Sequence, residues 1–327
     1  MFFKTLNLLL RVVSGKKIKN FLQNYYAEMT GKGLKNTMPS FVSIESSSVC
    51  NLSCPECAIG THRTLRKSKS ISMDLYKEVI NEAKDYIFDV QLFFQGEPFL
   101  NKNIDEMVSF ARKSRVATVI STNGTLLTHE LSKRLIEAGL DRLIVSVDGT
   151  TQEVYETYRV GGRLQTVLDN VRELVRLRKE MKSKFPIIEF QMVVFHHNEH
   201  QISDFKRLAK SIGADLSVVK TAQIMNYENK SELIPTQEKY SRYVLRDGKW
   251  QLKKSLRNHC QRIYQGCVIN SDGKVSVCCF DKVPYYPVGD LNDSTLSVIW
   301  NSDEFNDFRQ KVAANRSSIE ICRNCTE

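Results

Sequence analysis

The chain has 327 residues, 42% of them hydrophobic, enough for a large α/β domain with an extension and too many for one small domain. No apolar run is long enough to span a bilayer, and the nine cysteines, odd in number and clustered, fit metal ligation in a reducing cytoplasm better than a disulfide framework. The formal charge of +10 could attract nucleic acid or anionic lipid, but no stretch interleaves bases and aromatics in a nucleic-acid-binding motif, so nucleic acid is not expected.

The start, Met1 to Val13, is apolar but interrupted by Arg11 and followed by no small-residue cleavage site, so it does not read as a signal peptide. On a helix, Phe2, Phe3, Leu6, Leu9, Leu10 and Val13 share one face, with Lys4 and Arg11 opposite. Such a basic amphipathic helix can make peripheral contact with a membrane or pack on its own domain. Residues 1–40 read as an extension, too short for a separate recognition domain of ordinary size.

From Phe41 onward, strand-like and helix-like segments alternate. Strands are expected at 41–45, 89–94, 116–121, 142–147, 187–195 and 216–220, with helices at 73–87, 104–113, 129–138, 164–181 and 199–211. Six strands separated by helices imply parallel βαβ units, which right-handed crossovers curl into a sheet or partial barrel. In such folds the active site lies at the carboxyl ends of the strands. The unusual motifs fall there: Cys50–Cys57 after the first strand, Gln95-Gly96-Glu97-Pro98 after the second, Thr122-Asn123-Gly124 after the third and Asp148-Gly149 after the fourth.

Cys50, Cys54 and Cys57 are spaced C-x3-C-x2-C. A zinc site would need a fourth tetrahedral ligand, for which His62 is available. Three thiolates alternatively suit three corners of a 4Fe–4S cube, leaving an iron open to chelate amine and carboxylate groups of a small molecule. The spacing resembles the signature of the radical S-adenosylmethionine (SAM) enzymes, and residues 41–225 resemble their core, a partial (β/α)6 TIM-like barrel. The resemblance implies that Gln95, Gly96 and Glu97 form the segment receiving the SAM ammonium, and that Ser121, Asn123, Ser146 and Asp148 face its ribose and methionine parts. It also implies that Arg159 pairs with a carboxylate and that Val194 lines the adenine pocket, a place in the core being the equal alternative for this valine. One position departs from the family: Glu56 stands where an aromatic residue usually precedes the third cysteine.

The other six cysteines follow Asn258. Segments 268–270 and 274–277 flank Ser271-Asp272-Gly273, a hairpin signal, which can bring Cys278 near Cys260 while Cys322 and Cys325 return from a distant segment. The run C-x12-G-x4-C from Cys260 through Gly273 to Cys278 resembles the SPASM/twitch auxiliary-cluster domains. That resemblance implies one auxiliary 4Fe–4S cluster on Cys260, Cys278, Cys322 and Cys325 in a shortened hairpin/helix domain, 259–327, joined by a linker, 226–258. Cys279 can replace Cys278, Cys267 is a spare, and the same four cysteines could instead hold structural zinc.

The chemistry implied is reductive cleavage of SAM to a 5′-deoxyadenosyl radical that abstracts hydrogen from a peptide side chain, the auxiliary cluster taking an electron. A reducing partner such as flavodoxin or ferredoxin is implied with it. Two other functions stay open: dehydrogenation of a small polar metabolite such as a sugar or aminocyclitol, and a zinc- or cluster-bearing scaffold that cleaves no SAM.

Overall fold

The computed structural model describes residues 8, 10–63, 67, 69–283 and 286–326. The proposed apolar face over Phe2–Val13 lies mostly outside these residues. Within them, Val12 is buried and the Arg11 guanidinium holds the buried Asp141 carboxylate at 2.6 Å, fixing the chain against its own domain.

A helix α1 (Gly15–Thr30) leads into the alternating core: β1 (Phe41–Ile44), α2 (Met73–Ala83), β2 (Asp89–Gln91), α3 (Ile104–Lys113), β3 (Ala117–Thr122), α4 (His129–Ala138) and β4 (Arg142–Ser146). It continues through α5 (Gln152–Tyr158), α6 (Leu164–Glu180), β5 (Ile187–Val194), α7 (Ile202–Ile212) and β6 (Leu216–Thr221). The helices start where side chains accept from orphan backbone amides: Ser72 from Leu75, Thr128 from Leu131 and Thr151 from Val154. The longer barrel helices bury one apolar stripe; in α6 it is Leu164, Val167, Leu168, Val171, Leu174 and Leu177, the spacing of one helical face.

Strands β1 to β6 pair in sequence order and all in parallel, so every crossover steps the same way. The motif-bearing loops consequently meet at one rim, as the partial barrel requires. After β6 come an antiparallel hairpin, β7 (Tyr243–Arg246) and β8 (Lys249–Leu252), then α8 (Arg262–Gln265), β9 (Gly266–Ile269), β10 (Lys274–Ser276), β11 (Pro287–Asp290), α9 (Leu296–Trp300), α10 (Asp303–Asn315) and α11 (Glu320–Arg323).

The C-terminal strands extend the barrel sheet. β9 pairs in parallel with β1, Phe41 against Gly266 and Ile44 against Ile269, and β10 and β11 follow antiparallel to give nine strands. The hairpin after Cys260 is thereby registered on the strand that delivers Cys50. Arg309 of α10 locks the far side: it is fully buried over the Phe305 and Trp300 rings at 3.9 and 4.4 Å and donates to the Ile263 and Trp300 carbonyls at 3.0 Å.

Candidate SAM and iron–sulfur site

The loop after β1 carries Cys50, Cys54 and Cys57 into a rim cavity of about 370 Å³, also lined by Gln95, Gly96, Glu97, Ser121, Asn123, Ser146 and Arg159. Among the described residues no group of three or more His, Cys, Asp and Glu side chains could hold one metal ion; the three thiols instead border this shared space. Burial pushes the Cys50 thiol up to about 11 and raises Cys54, against which the nearby Arg159 works in the opposite direction. Arg159 Nη1 stands 3.8 Å from Cys54 Sγ. Three cysteines from one short loop, with a buried cation at their side, fit an anionic iron–sulfur cluster.

The surrounding loops are held by specific bonds. The Glu97 carboxylate accepts from Thr122 Oγ1 at 2.7 Å and from the Asn123 and Phe99 amides at 2.8 and 3.2 Å, tying the turn after β2 to the end of β3. Burial raises its pKa, and those donors oppose the shift. The Asn123 amide group donates to Asn51 Oδ1 at 2.9 Å, joining the β3 end to the cysteine loop. Gly96 adopts φ +74°, and a Cβ there would come within 2.2 Å of the Ser47 carbonyl, so only glycine fits this approach.

Two expected residues stand elsewhere. Asp148 lies beneath the cavity, accepting from Arg159 Nε at 2.6 Å and from the Val193 amide at 2.7 Å; it orients the arginine. Val194 belongs to the fully buried core, whereas Gln191 and Val193 face the cavity. Side chains alternate along β5, so placing Val194 on the ligand face is corrected by one residue.

Residues not anticipated from the sequence complete the lining: Phe93, Phe94, Tyr158, Gln191, Val193 and Lys282. The period of β5 could have identified Gln191 and Val193. Lys282 gave no such signal, because it comes from the C-terminal portion. There Cys57 and Cys279 lie within its electrostatic range, and burial lowers its pKa.

Glu56 has a structural partner set of its own. Its buried carboxylate accepts from the Met225 amide at 2.6 Å and pairs with Lys230. Next along the chain, the Ile224 amide donates to the Tyr243 hydroxyl oxygen at 2.8 Å, and the Ile224 carbonyl accepts from Asn324 Nδ2 at 2.8 Å. A continuous set of bonds thus runs from the Cys50–Cys57 loop to the turn between Cys322 and Cys325.

The auxiliary cysteines converge from three segments. Cys278 feels Cys260 and Cys322, and Cys322 feels Cys260 and Cys325, while burial raises Cys278 and pushes Cys322 up to about 11. Arg316, buried among Cys260, Cys322 and Cys325, donates from Nη2 to Cys325 Sγ at 3.1 Å. Three thiols around a guanidinium, with Cys278 beside them, fit a centre whose thiolates are anionic. Cys267 stands apart on β9, facing Arg309, and burial pushes it up to about 12.

Fold and site together define an α/β-barrel enzyme with one group of thiols at its rim and a second in the C-terminal portion. The Radical SAM superfamily model matches residues 44–209, just over half of the chain, which belongs to that family. A SPASM iron–sulfur cluster-binding domain matches residues 260–326. The cofactors are accordingly SAM and iron–sulfur clusters.

Among curated relatives, the tungsten-containing aldehyde ferredoxin oxidoreductase cofactor-modifying protein of Pyrococcus furiosus is 25% identical over 300 residues, covering 82% of this chain and 83% of the relative. The mycofactocin maturase MftC of Mycobacterium tuberculosis is 24% identical over 314 residues, covering 88% and 75%. SuiB of Streptococcus suis bound to the precursor peptide SuiA shares the fold, with a TM-score of 0.66 at 14% identity over 94% of this chain and 75% of that one.

Proposed function

We propose that this enzyme is a radical SAM oxidoreductase that abstracts hydrogen from a peptide side chain, the auxiliary centre accepting an electron. The observation that carries the proposal is the sharing of one cavity by Cys50, Cys54, Cys57 and the polar ends of β2, β3 and β4. Cys50, Cys54 and Cys57 are its ligands for the SAM-binding cluster, and Cys260, Cys278, Cys322 and Cys325 those for the auxiliary cluster. A bound cluster supplies the electron that cleaves SAM to methionine and a 5′-deoxyadenosyl radical.

The chain's own groups bind, orient and exclude water. Arg159, aimed by Asp148, presents its free guanidinium edge to a carboxylate. Glu97 already has three donors, so backbone carbonyls of the 95–97 turn, more than its carboxylate, receive the SAM ammonium. Ser121, Asn123 and Ser146 offer hydroxyl and amide groups to the ribose and methionine. Leu52, Phe93, Phe94 and Tyr158 keep the space apolar enough to exclude water.

A peptide substrate is supported by the names of two similar proteins, a maturase and SuiB with its precursor peptide. The domains we assign are an extension (1–40), a core (41–225), a linker (226–258) and an auxiliary portion (259–327). A flavodoxin- or ferredoxin-like donor supplies the electrons. The described residues include no helix long and apolar enough to cross a membrane; a cytoplasmic location is the reading that the reduced-thiol chemistry supports.

The test is reductant-dependent 5′-deoxyadenosine formation by anaerobically reconstituted protein, beside a Cys54→Ala variant. Product from the wild type alone is expected. Absence of iron uptake, or equal product from both proteins, would overturn the proposal.

A further inference from the structure

Helix α1 is turned inside out. Its polar side chains face inward: Asn20 and Asn24 donate to the Met38 carbonyl at 2.8 Å, and the Met38 amide returns a bond to Asn20 Oδ1 at 2.9 Å. Lys17 Nζ reaches the Arg115 carbonyl at 2.9 Å, and the buried Glu28 meets His259 at 2.8 Å. The apolar side chains Ile18, Leu22, Tyr25, Tyr26 and Met29 are left 44% to 60% exposed. Their spacing of i, i+4, i+7, i+8 and i+11 makes one continuous stripe.

A globular helix ordinarily does the reverse, and a contiguous apolar stripe on a surface marks a docking face. The rim indicates what docks. Lys19 is exposed on the flank of the stripe, Lys32 lies over the Tyr26 ring at 5.9 Å, and Lys16, paired with Asp85 at 3.1 Å, lies over the Tyr86 ring at 4.5 Å. From Met1 to Ala27 the sequence holds five basic residues and no acid. A second copy packed on this face would set like charges against each other. An anionic lipid surface instead neutralises Lys19 and Lys32 while taking up the apolar side chains, with tyrosines at headgroup depth.

We infer that α1 is a membrane-docking helix that lies in the interface of an anionic bilayer, stripe downward, without spanning it. The sequence left Phe2–Val13 open to membrane contact or to packing on its own domain; the docking face lies instead on a different helix, held rigidly to the domain through its polar face. Rigid attachment means that binding requires no folding of α1, and its ordering cost is already met.

The test is co-sedimentation of the full chain with phosphatidylcholine vesicles, with and without phosphatidylglycerol. Binding to the anionic vesicles alone, weakening with salt, is expected. Leu22→Glu with Met29→Glu should lower the partition coefficient by at least about tenfold. Val298→Glu, at an exposed apolar position on α9 (61% exposed), should bind like the wild type, and all variants should keep their melting temperature. Wild type that stays in the supernatant, or a double variant that binds fully, would overturn the inference. So would a concentration-dependent dimer abolished by the double variant, which would give the face to a second copy.

Discussion

Glu56 is the position at which this chain leaves its family's pattern, and it carries a measurable consequence. Replacing it with alanine strands the Met225 amide and the Lys230 ammonium, both now bound to its carboxylate. A hydrogen bond to a buried charge contributes about 1.5–3 kcal/mol. Breaking a fully buried pair costs about 3–5 kcal/mol, but Lys230 is 30% exposed and can turn to water. The net local loss is therefore about 2–3 kcal/mol, equivalent to a roughly 30–150-fold rise in the population of open states.

Hydrogen exchange at the Met225 amide, followed anaerobically, reads that opening directly. Glu56→Gln keeps an oxygen for the amide but loses the charge, so it should accelerate exchange by only about 5–10-fold. Because Ile224 is bonded to both Tyr243 and Asn324, protection near Cys325 should fall as well. Exchange in Glu56→Ala within about twofold of wild type would refute the assignment of Glu56 as the tie between the two cysteine loops.

Two further outcomes follow from the charges around the thiols. Lys282→Met removes a cation near Cys57 and Cys279. Discounted for solvent screening, that charge is worth roughly 1 kcal/mol, so the cluster potential should fall by about 40 mV in a redox titration followed by electron paramagnetic resonance, and Lys282→Arg should restore it. Cys267, with its thiol pushed up to about 12 by burial, is only about one part in ten thousand thiolate at pH 8 in the folded protein. It should resist iodoacetamide until the chain unfolds, and Cys267→Ser should retain the full iron complement that Cys260→Ser loses; early alkylation or iron loss in Cys267→Ser would contradict this.

The sequence made the barrel legible where pattern and position agreed. Helices α3 and α4 fall on their expected bounds because strong 3.6-residue periodicity coincides with clear starts and stops. The rim loops are legible because parallel strand order forces every strand's carboxyl end to one side. Pairings distant in sequence were less accessible. That β9 would join β1 depends on two strands more than two hundred residues apart sharing an edge, and no local signal encodes it. Lys282 entered the cavity for the same reason. Val194 was misplaced by a single step, which in a strand exchanges core for cavity.

Helix α1 shows a different limit. A helical repeat identifies two faces, and the usual assignment turns the apolar one inward because burial there is worth about 25 cal/mol per Å². In α1 the inward face is set by directional partners instead: the Met38 amide and carbonyl on Asn20 and Asn24, the Arg115 carbonyl on Lys17, and His259 on Glu28. These partners lie up to 231 residues away along the chain, so amphipathicity alone could not predict the orientation. Polar anchoring of the inner face leaves the apolar stripe free for another surface. Retaining Asn20 and Asn24 inside while exposing Leu22 and Met29 is consistent with a helix whose second face is filled only when the protein docks.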